Sequence, residues 1–178
     1  EEKAKWLGQV QNGFTTNRQA LDSIFILRTI MEKSSQIGSK PARDLSLLFI
    51  DLEKAYDTVP RDLLWERLER LGLGSRFISI LKAMYHKSFM VVKINGLETK
   101  RIYPERGLKQ GCPLSPLLFS LYISGLGKIL ENRKEGVQIQ GTTISGLLFA
   151  DDLILISRDR EGILQMVQIC QKFFEDQS

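Results

Sequence analysis

The chain alternates between stretches with a helical apolar repeat and short apolar runs of strand length. The first helical stretch places Leu21, Ile24, Phe25, Leu27, Ile30 and Met31 at the spacing of one helix face. Thr16 or Asn17 would cap it, and Gly38 and Pro41 would end it. "LSLLFIDL", residues 45–52, predicts a strand. "VPRDLLWERLERLGLG" predicts a helix that starts at Pro60 and stops at Gly72 and Gly74, and "SRFISILKAMYHKS" predicts a second. "FMVVKINGLETKRIYPERG" is β-rich, and Asn95-Gly96 between its apolar stretches is a strong hairpin signal. "PLSPLLFSLYISGLGKILENR" predicts a long apolar helix beginning near Pro113. "VQIQGTTISGLLFADDLILISRD" predicts two or three strands, and "REGILQMVQICQKFFED" an amphipathic helix. Helices and hairpins intermixed in this way predict an α+β domain with an antiparallel sheet backed by helices. Residues 12–39 are expected to pack as a separate lobe.

Composition bounds this picture. At 178 residues, with 43% hydrophobic and 26% charged positions, the chain can bury the core of one domain or a little more. No apolar run reaches the ~18 residues of a membrane span. "EEKAKWLGQ" lacks the apolar region of a secretory leader, and Glu1 in place of Met predicts a piece of a longer protein. Cys112 and Cys170 are too few for a disulfide framework or a cysteine zinc site, so a reduced, intracellular setting is expected. The net charge is +4, but seven Lys and Arg residues fall between Lys82 and Lys109 against only Glu98 and Glu105. On charge alone, that cluster reads as a solvated basic face.

The candidate chemistry begins at "LLFADDLILIS", residues 147–157, where Asp151 and Asp152 interrupt an apolar run. Buried ionised carboxylates are costly unless paired or bound to a metal. A hairpin with both aspartates at its turn removes the cost, and aspartate is an ordinary turn residue. A second apolar run, "LLFIDLEKAYD", also ends in an acid, Asp51. If the two strands pair, three carboxylates converge, and hard divalent cations relieve their repulsion. Such a cluster suits a pair of Mg²⁺ ions about 3.5–4 Å apart that clamp an in-line phosphoryl transfer. A third segment, "RGLKQGCPLSPLLF", sets Gly107 and Gly111 around Lys109 and Gln110 before a helix. Glycine lets a ligand approach the backbone and a helix N-terminus favours anions, but alone the segment reads as an ordinary loop and helix cap.

Together the three segments resemble a reverse transcriptase in order and spacing. "FIDLEKAYDTVPRDLLW" is similar to motif A, "GLKQGCPLSPLLFSLYI" to motif B and "FADDLILIS" to motif C. The F-A-D-D form and the "QGCPLSPLLF" wording are most similar to non-LTR (LINE-type) retrotransposon enzymes, as is "QNGFTTNRQALDSIFILRTIMEK" ahead of motif A. The resemblance covers nearly the whole chain. It implies an RNA-directed DNA polymerase of right-hand architecture. Residues 1–44 would be a fingers-side segment and residues 45–178 the palm with interspersed fingers elements, with no thumb.

The resemblance also implies roles. Asp51, Asp151 and Asp152 match the metal-binding catalytic triad, with Asp151 the firmer ligand of the doublet. The Leu52 carbonyl would join one metal. Tyr56 stands at the steric gate that rejects a 2′-OH, and Ala55 must be small to admit the nucleotide. Gln110 and Gly111 match the pair that contacts nucleotide and template base. Phe149 matches the aromatic that supports the primer end, and Lys109 and Arg106 would contact template or primer phosphates. The implied cofactor is two Mg²⁺ ions, with Mn²⁺ as a substitute. The implied partners are an RNA template, a DNA primer and dNTPs, in the nucleus or cytoplasm. Glu53 and Asp57 match no triad position and read as surface, capping or structural acids. His86 reads as a helix-end residue, Cys112 as packing behind motif B, Trp65 as core and Trp6 as packing the N-terminal lobe. An inactive nucleic-acid-binding remnant and a group II intron-type enzyme with a maturase role are the alternatives.

Overall fold

The computed structural model describes residues 7, 10–13, 17–36, 44–131, 133–139 and 141–176. Its elements run in the order α1 (Ala20–Gln36), β1 (Ser46–Asp51), α2 (Ala55–Thr58), α3 (Arg61–Arg70), α4 (Ser75–His86), β2 (Lys93–Ile94), β3 (Leu97–Glu98), α5 (Ser115–Leu130), β4 (Val137–Ile139), β5 (Thr142–Ile144), β6 (Gly146–Phe149), β7 (Asp152–Ser157) and α6 (Arg160–Glu175).

The central sheet is antiparallel, in the order β1-β7-β6. Side chains alternate between its faces. Leu48 and Ile50 of β1, Leu148 of β6, and Leu153 and Leu155 of β7 point into a core shared with α3, α5 and α6. Leu47, Leu147, Ile154 and Ile156 point the other way, where Ile26, Leu27 and Ile30 of α1 cover them. α1 covers only one end of that second face. At the other end Phe49 is 65% exposed.

Several sequence expectations need correction. The N-terminal region does not form a separate lobe. The Asn12 N–H donates to the Leu148 carbonyl (2.8 Å) and the Leu148 N–H to the Val10 carbonyl (2.9 Å), so this segment extends the sheet beside β6. α1 is capped at Gln19, whose N–H donates to the Asp22 carboxylate (2.6 Å), while Asn17 occupies a left-handed turn (φ 61°). An acid at the third helical position that accepts the cap residue's own N–H supplies one half of a capping box. Thr16, Gly38, Pro41 and Trp6 lie outside the described residues. The motif B helix starts at Ser115, with Pro116 just inside it, and four strands rather than two or three fill residues 137–157.

Other expectations hold. Asn95 (φ 50°) and Gly96 (φ 80°) form the β2–β3 turn, the pair of left-handed residues that a type I′ hairpin requires. Trp65 is core and packs edge-on to Tyr85 (5.6 Å). His86 ends α4. Cys112 is half-buried. Burial pushes the Cys170 thiol up to about 11, so it remains protonated and inert.

Candidate active site

The register of the sheet assembles the acids. Asp51, the last residue of β1, pairs directly with Asp152, the first of β7. Directly opposed residues share a face, with Cβ atoms about 4.5–5.5 Å apart. Phe149, the last residue of β6, faces Asp152 from the other side. Both aspartates are exposed. They lie on the face that leaves Phe49 open, beyond the end of α1. The sequence placed both acids of the doublet in the turn. Instead the turn is Ala150-Asp151, and Asp152 is already in the ladder. Ala150 takes φ 56°, a left-handed conformation that costs a non-glycine residue about 1–2 kcal/mol.

Asp151 is half-buried in this turn. Its charge reaches Tyr56, whose pKa is raised first by burial and second by Asp151. That coupling puts the motif A tyrosine beside the motif C turn. Tyr56 is held by stacking on Phe119 of α5, with ring centroids 4.9 Å apart and planes at 20°. Ala55, at the start of α2, is buried, and its N–H donates to the Leu52 carbonyl (3.2 Å). A carbonyl oxygen has a second lone pair, so Leu52 keeps an acceptor site.

Motif B is bonded to motif A. The Leu108 N–H donates to the Tyr56 carbonyl (2.7 Å) and the Gly107 N–H to the Val59 carbonyl (2.8 Å). Gly107 lies at φ 86°, and a Cβ there would come within 2.6 Å of the Asp57 carbonyl, so only glycine permits this approach. The Gln110 amide donates to the Asp57 carboxylate (3.1 and 3.4 Å). Asp57 is therefore the tether of the motif B glutamine. Gly111 follows at φ 76°, exposed. Lys109 Nζ donates to the Met84 carbonyl (2.9 Å) and sits over the Tyr85 ring (5.4 Å), leaving two of its three donors. Arg106 is exposed. Gln110, Lys109, Arg106 and Asp57 share an open cleft of about 880 Å³ with Phe89 and Met90.

Sequence reasoning missed two residues here. Arg61 donates to the carbonyls of Pro104 (2.6 Å), Gly107 (2.9 Å) and Arg106 (3.2 Å), and so pins the loop ahead of motif B. Gln11 is fully buried and reaches the Ala150 backbone. Neither stands out locally. Arg61 follows a helix-start proline, and Gln11 lies in a polar turn, so only long-range contacts reveal them.

The acids that converge offer oxygen ligands alone, a donor set that suits Mg²⁺ and excludes a soft-metal site. Among the described residues no three acid, histidine or cysteine side chains are close enough to enclose an ion as they stand. Like charges repel without a cation between them.

Residues 2–178 match the reverse transcriptase (RNA-dependent DNA polymerase) family. The chain belongs to that family. It is 33% identical over 88% of its length to the transposon TX1 uncharacterized 149 kDa protein of Xenopus laevis, of which the match covers 12%. It is 27% identical over 86% of its length to the Pol polyprotein of the type-2 retrotransposable element R2DM of Drosophila melanogaster, covering 14% of that protein. The relatives include Pol polyproteins of R2 retrotransposable elements, and the chain spans about an eighth of the two relatives named. Among solved structures, the telomerase of Candida albicans superposes with a TM-score of 0.64 at 16% identity, over 95% of this chain and 29% of that one. The telomerase of Candida tropicalis gives 0.60 at 20% identity, over 89% and 31%. These likenesses establish the right-hand polymerase fold for this reverse transcriptase domain. Its family uses divalent metals and an RNA template. No helix among the described residues is long and apolar enough to cross a membrane.

Proposed function

We propose that this chain is the catalytic part of an RNA-directed DNA polymerase of a non-LTR retrotransposon, extending a primer 3′-OH with dNTPs on an RNA template. The observation that carries the reading is the register of Asp51 against Asp152 with Asp151 in the adjoining turn. Asp51, Asp151, Asp152 and the Leu52 carbonyl would hold two Mg²⁺ ions, or Mn²⁺. When bound, these supply charge neutralisation at the phosphates and a more acidic attacking hydroxyl.

The remaining roles belong to the protein. Tyr56, fixed by Phe119, lies under the incoming sugar and clashes with a 2′-OH. Ala55 leaves room for the nucleotide. Gln110, held by Asp57, and Gly111 line up the nucleotide and template base. Phe149 supports the primer end. Arg106 and the spare donors of Lys109 meet template or primer phosphates, giving the Lys82–Lys109 basic cluster its use. Residues 1–44 act on the fingers side and residues 45–178 as the palm. The substrates imply work in the nucleus or cytoplasm.

Primer extension on an RNA template with Mg²⁺, using the full-length protein, tests this reading. The Asp151→Asn/Asp152→Asn double variant should fold and fail to extend. Undiminished extension by that variant refutes the assignment. RNA binding without any extension by the unmodified protein supports a non-catalytic binding remnant instead.

A further inference from the structure

The motif C turn is strained, and its own sequence does not explain how it holds. Ala150 sits at φ 56° and is 7% exposed. In a two-residue turn the central backbone groups have no partner in the ladder. Left buried and unpaired, each would cost about 1–3 kcal/mol. A non-glycine residue keeps a left-handed conformation only where its surroundings over-determine it.

Those surroundings come from the other end of the chain. The Ala150 N–H donates to Gln11 Oε1 (3.3 Å), and Gln11 Nε2 donates to the Ala150 carbonyl (3.4 Å). One side-chain amide therefore faces both backbone groups of the strained residue. The same Oε1 accepts the Gly13 N–H (2.7 Å), which fixes the amide's orientation. Gly13 lies against Ala150 so closely that a Cβ would overlap the Ala150 nitrogen. The brace is itself anchored. Gln11 bridges to Leu148 of β6, and Arg18 Nη1 donates to the Gln11 carbonyl (2.8 Å). The Asn12 amide donates to the Ser23 hydroxyl (2.8 Å), tying the segment to α1. Gln11 and Asn12 are both buried, at 0% and 4% exposure. A polar side chain is buried this deeply when its hydrogen bonds are needed there.

We infer that Gln11, with Gly13 as its close-packed backing, is a positioning residue for the motif C turn: its amide holds Ala150 left-handed and thereby sets the direction of Asp151, next in the chain to the Asp152 that pairs with Asp51. The inference rests on the polymerase reading for its consequence, but its structural part stands apart from that reading. Gln11 touches no reacting atom and acts through Ala150. Neither oxygen contact is short, so the brace fixes direction more than it adds stability. An error of about 1 Å in a catalytic group can cost on the order of 10²-fold in rate.

The test uses the full-length protein and three variants. Gln11→Met keeps the side chain's length and removes its hydrogen bonds. Gln11→Glu keeps an acceptor for the Ala150 N–H. Ile163→Ala, on the buried face of α6, controls for general loss of stability. Hydrogen exchange at the Ala150 amide is read first. In Gln11→Met it should quicken by roughly tenfold or more, because that amide loses its acceptor. In Gln11→Glu it should quicken less, and in Ile163→Ala it should stay close to the unmodified rate. Mn²⁺ binding should weaken in Gln11→Met beyond the Ile163→Ala control. In primer extension kcat should fall roughly 10- to 100-fold while KM for dNTP moves by less than about twofold.

Unchanged Ala150 exchange in Gln11→Met overturns the inference. So does faster exchange accompanied by Mn²⁺ affinity and kcat no different from Ile163→Ala. If Gln11→Met frees the Ala150 amide and weakens Mn²⁺ binding but the unmodified protein extends no primer, the polymerase reading fails and the brace stands.

Discussion

Two of the protein's two-residue hairpin turns, β2–β3 and β6–β7, look alike in the ladder and differ in what holds them. The β2–β3 turn uses Asn95 and Gly96, at φ 50° and 80°, and both are exposed. These residue types accept a left-handed backbone at little cost, so local chemistry suffices. The β6–β7 turn uses Ala150 and Asp151, and Ala150 is left-handed at φ 56° without the residue type that favours it. Gln11 and Gly13, far away in the chain, hold it. A turn chosen for folding carries its own reason in its sequence. A turn without such residues is held in place from elsewhere in the chain, as strained backbone is.

The largest break in this comparison is expected from Asp151→Asn. It leaves the turn's backbone alone and removes a charge, and extension should fall by on the order of 10³-fold or more. Steady-state primer extension measures it, with circular dichroism to show an intact fold. Next is Tyr56→Ala. Losing the ring stacked on Phe119 should raise ribonucleotide incorporation relative to deoxynucleotide by roughly 10- to 200-fold, read from paired kcat/KM values.

Gly107→Ala tests the motif A–motif B junction. The new Cβ meets the Asp57 carbonyl at a φ of 86°. A loss of about 1–3 kcal/mol is expected, seen as a fall in Tm of about 2–4 °C per kcal/mol. The smallest effects come from the two turns themselves. Ala150→Gly relieves a left-handed alanine, while Gly96→Ala creates one. Ala150→Gly should change Tm little or raise it, and Gly96→Ala should lower stability by about 1 kcal/mol. A matching fall in both would mean that Ala150 carries no strain.

The same contrast explains what was legible in the sequence. Runs such as 45–52 and 147–157 announced strands because their apolar residues must be buried, and Asn95-Gly96 announced its own turn. The pairing of Asp51 with Asp152 followed from strands that each carry an acid at one end. The position of the turn did not follow, because nothing in "FADD" shows that alanine rather than aspartate takes the left-handed place. Arg61, Asp57 and Gln11 were illegible in their roles for one reason. Each acts on backbone groups or an amide dozens of residues away, and no local periodicity encodes a partner at that distance. Residues 137–157 hold four strands where the sequence predicts two or three, because three of them have only three or four residues, too few for a period to show.

The most direct measurement is Mn²⁺ binding by electron paramagnetic resonance, on the full-length protein with primer–template and dNTP present. The account predicts bound Mn²⁺ that Asp51→Asn and Asp151→Asn each sharply reduce, with the fold retained. Equal Mn²⁺ binding in the unmodified protein and both variants would contradict it.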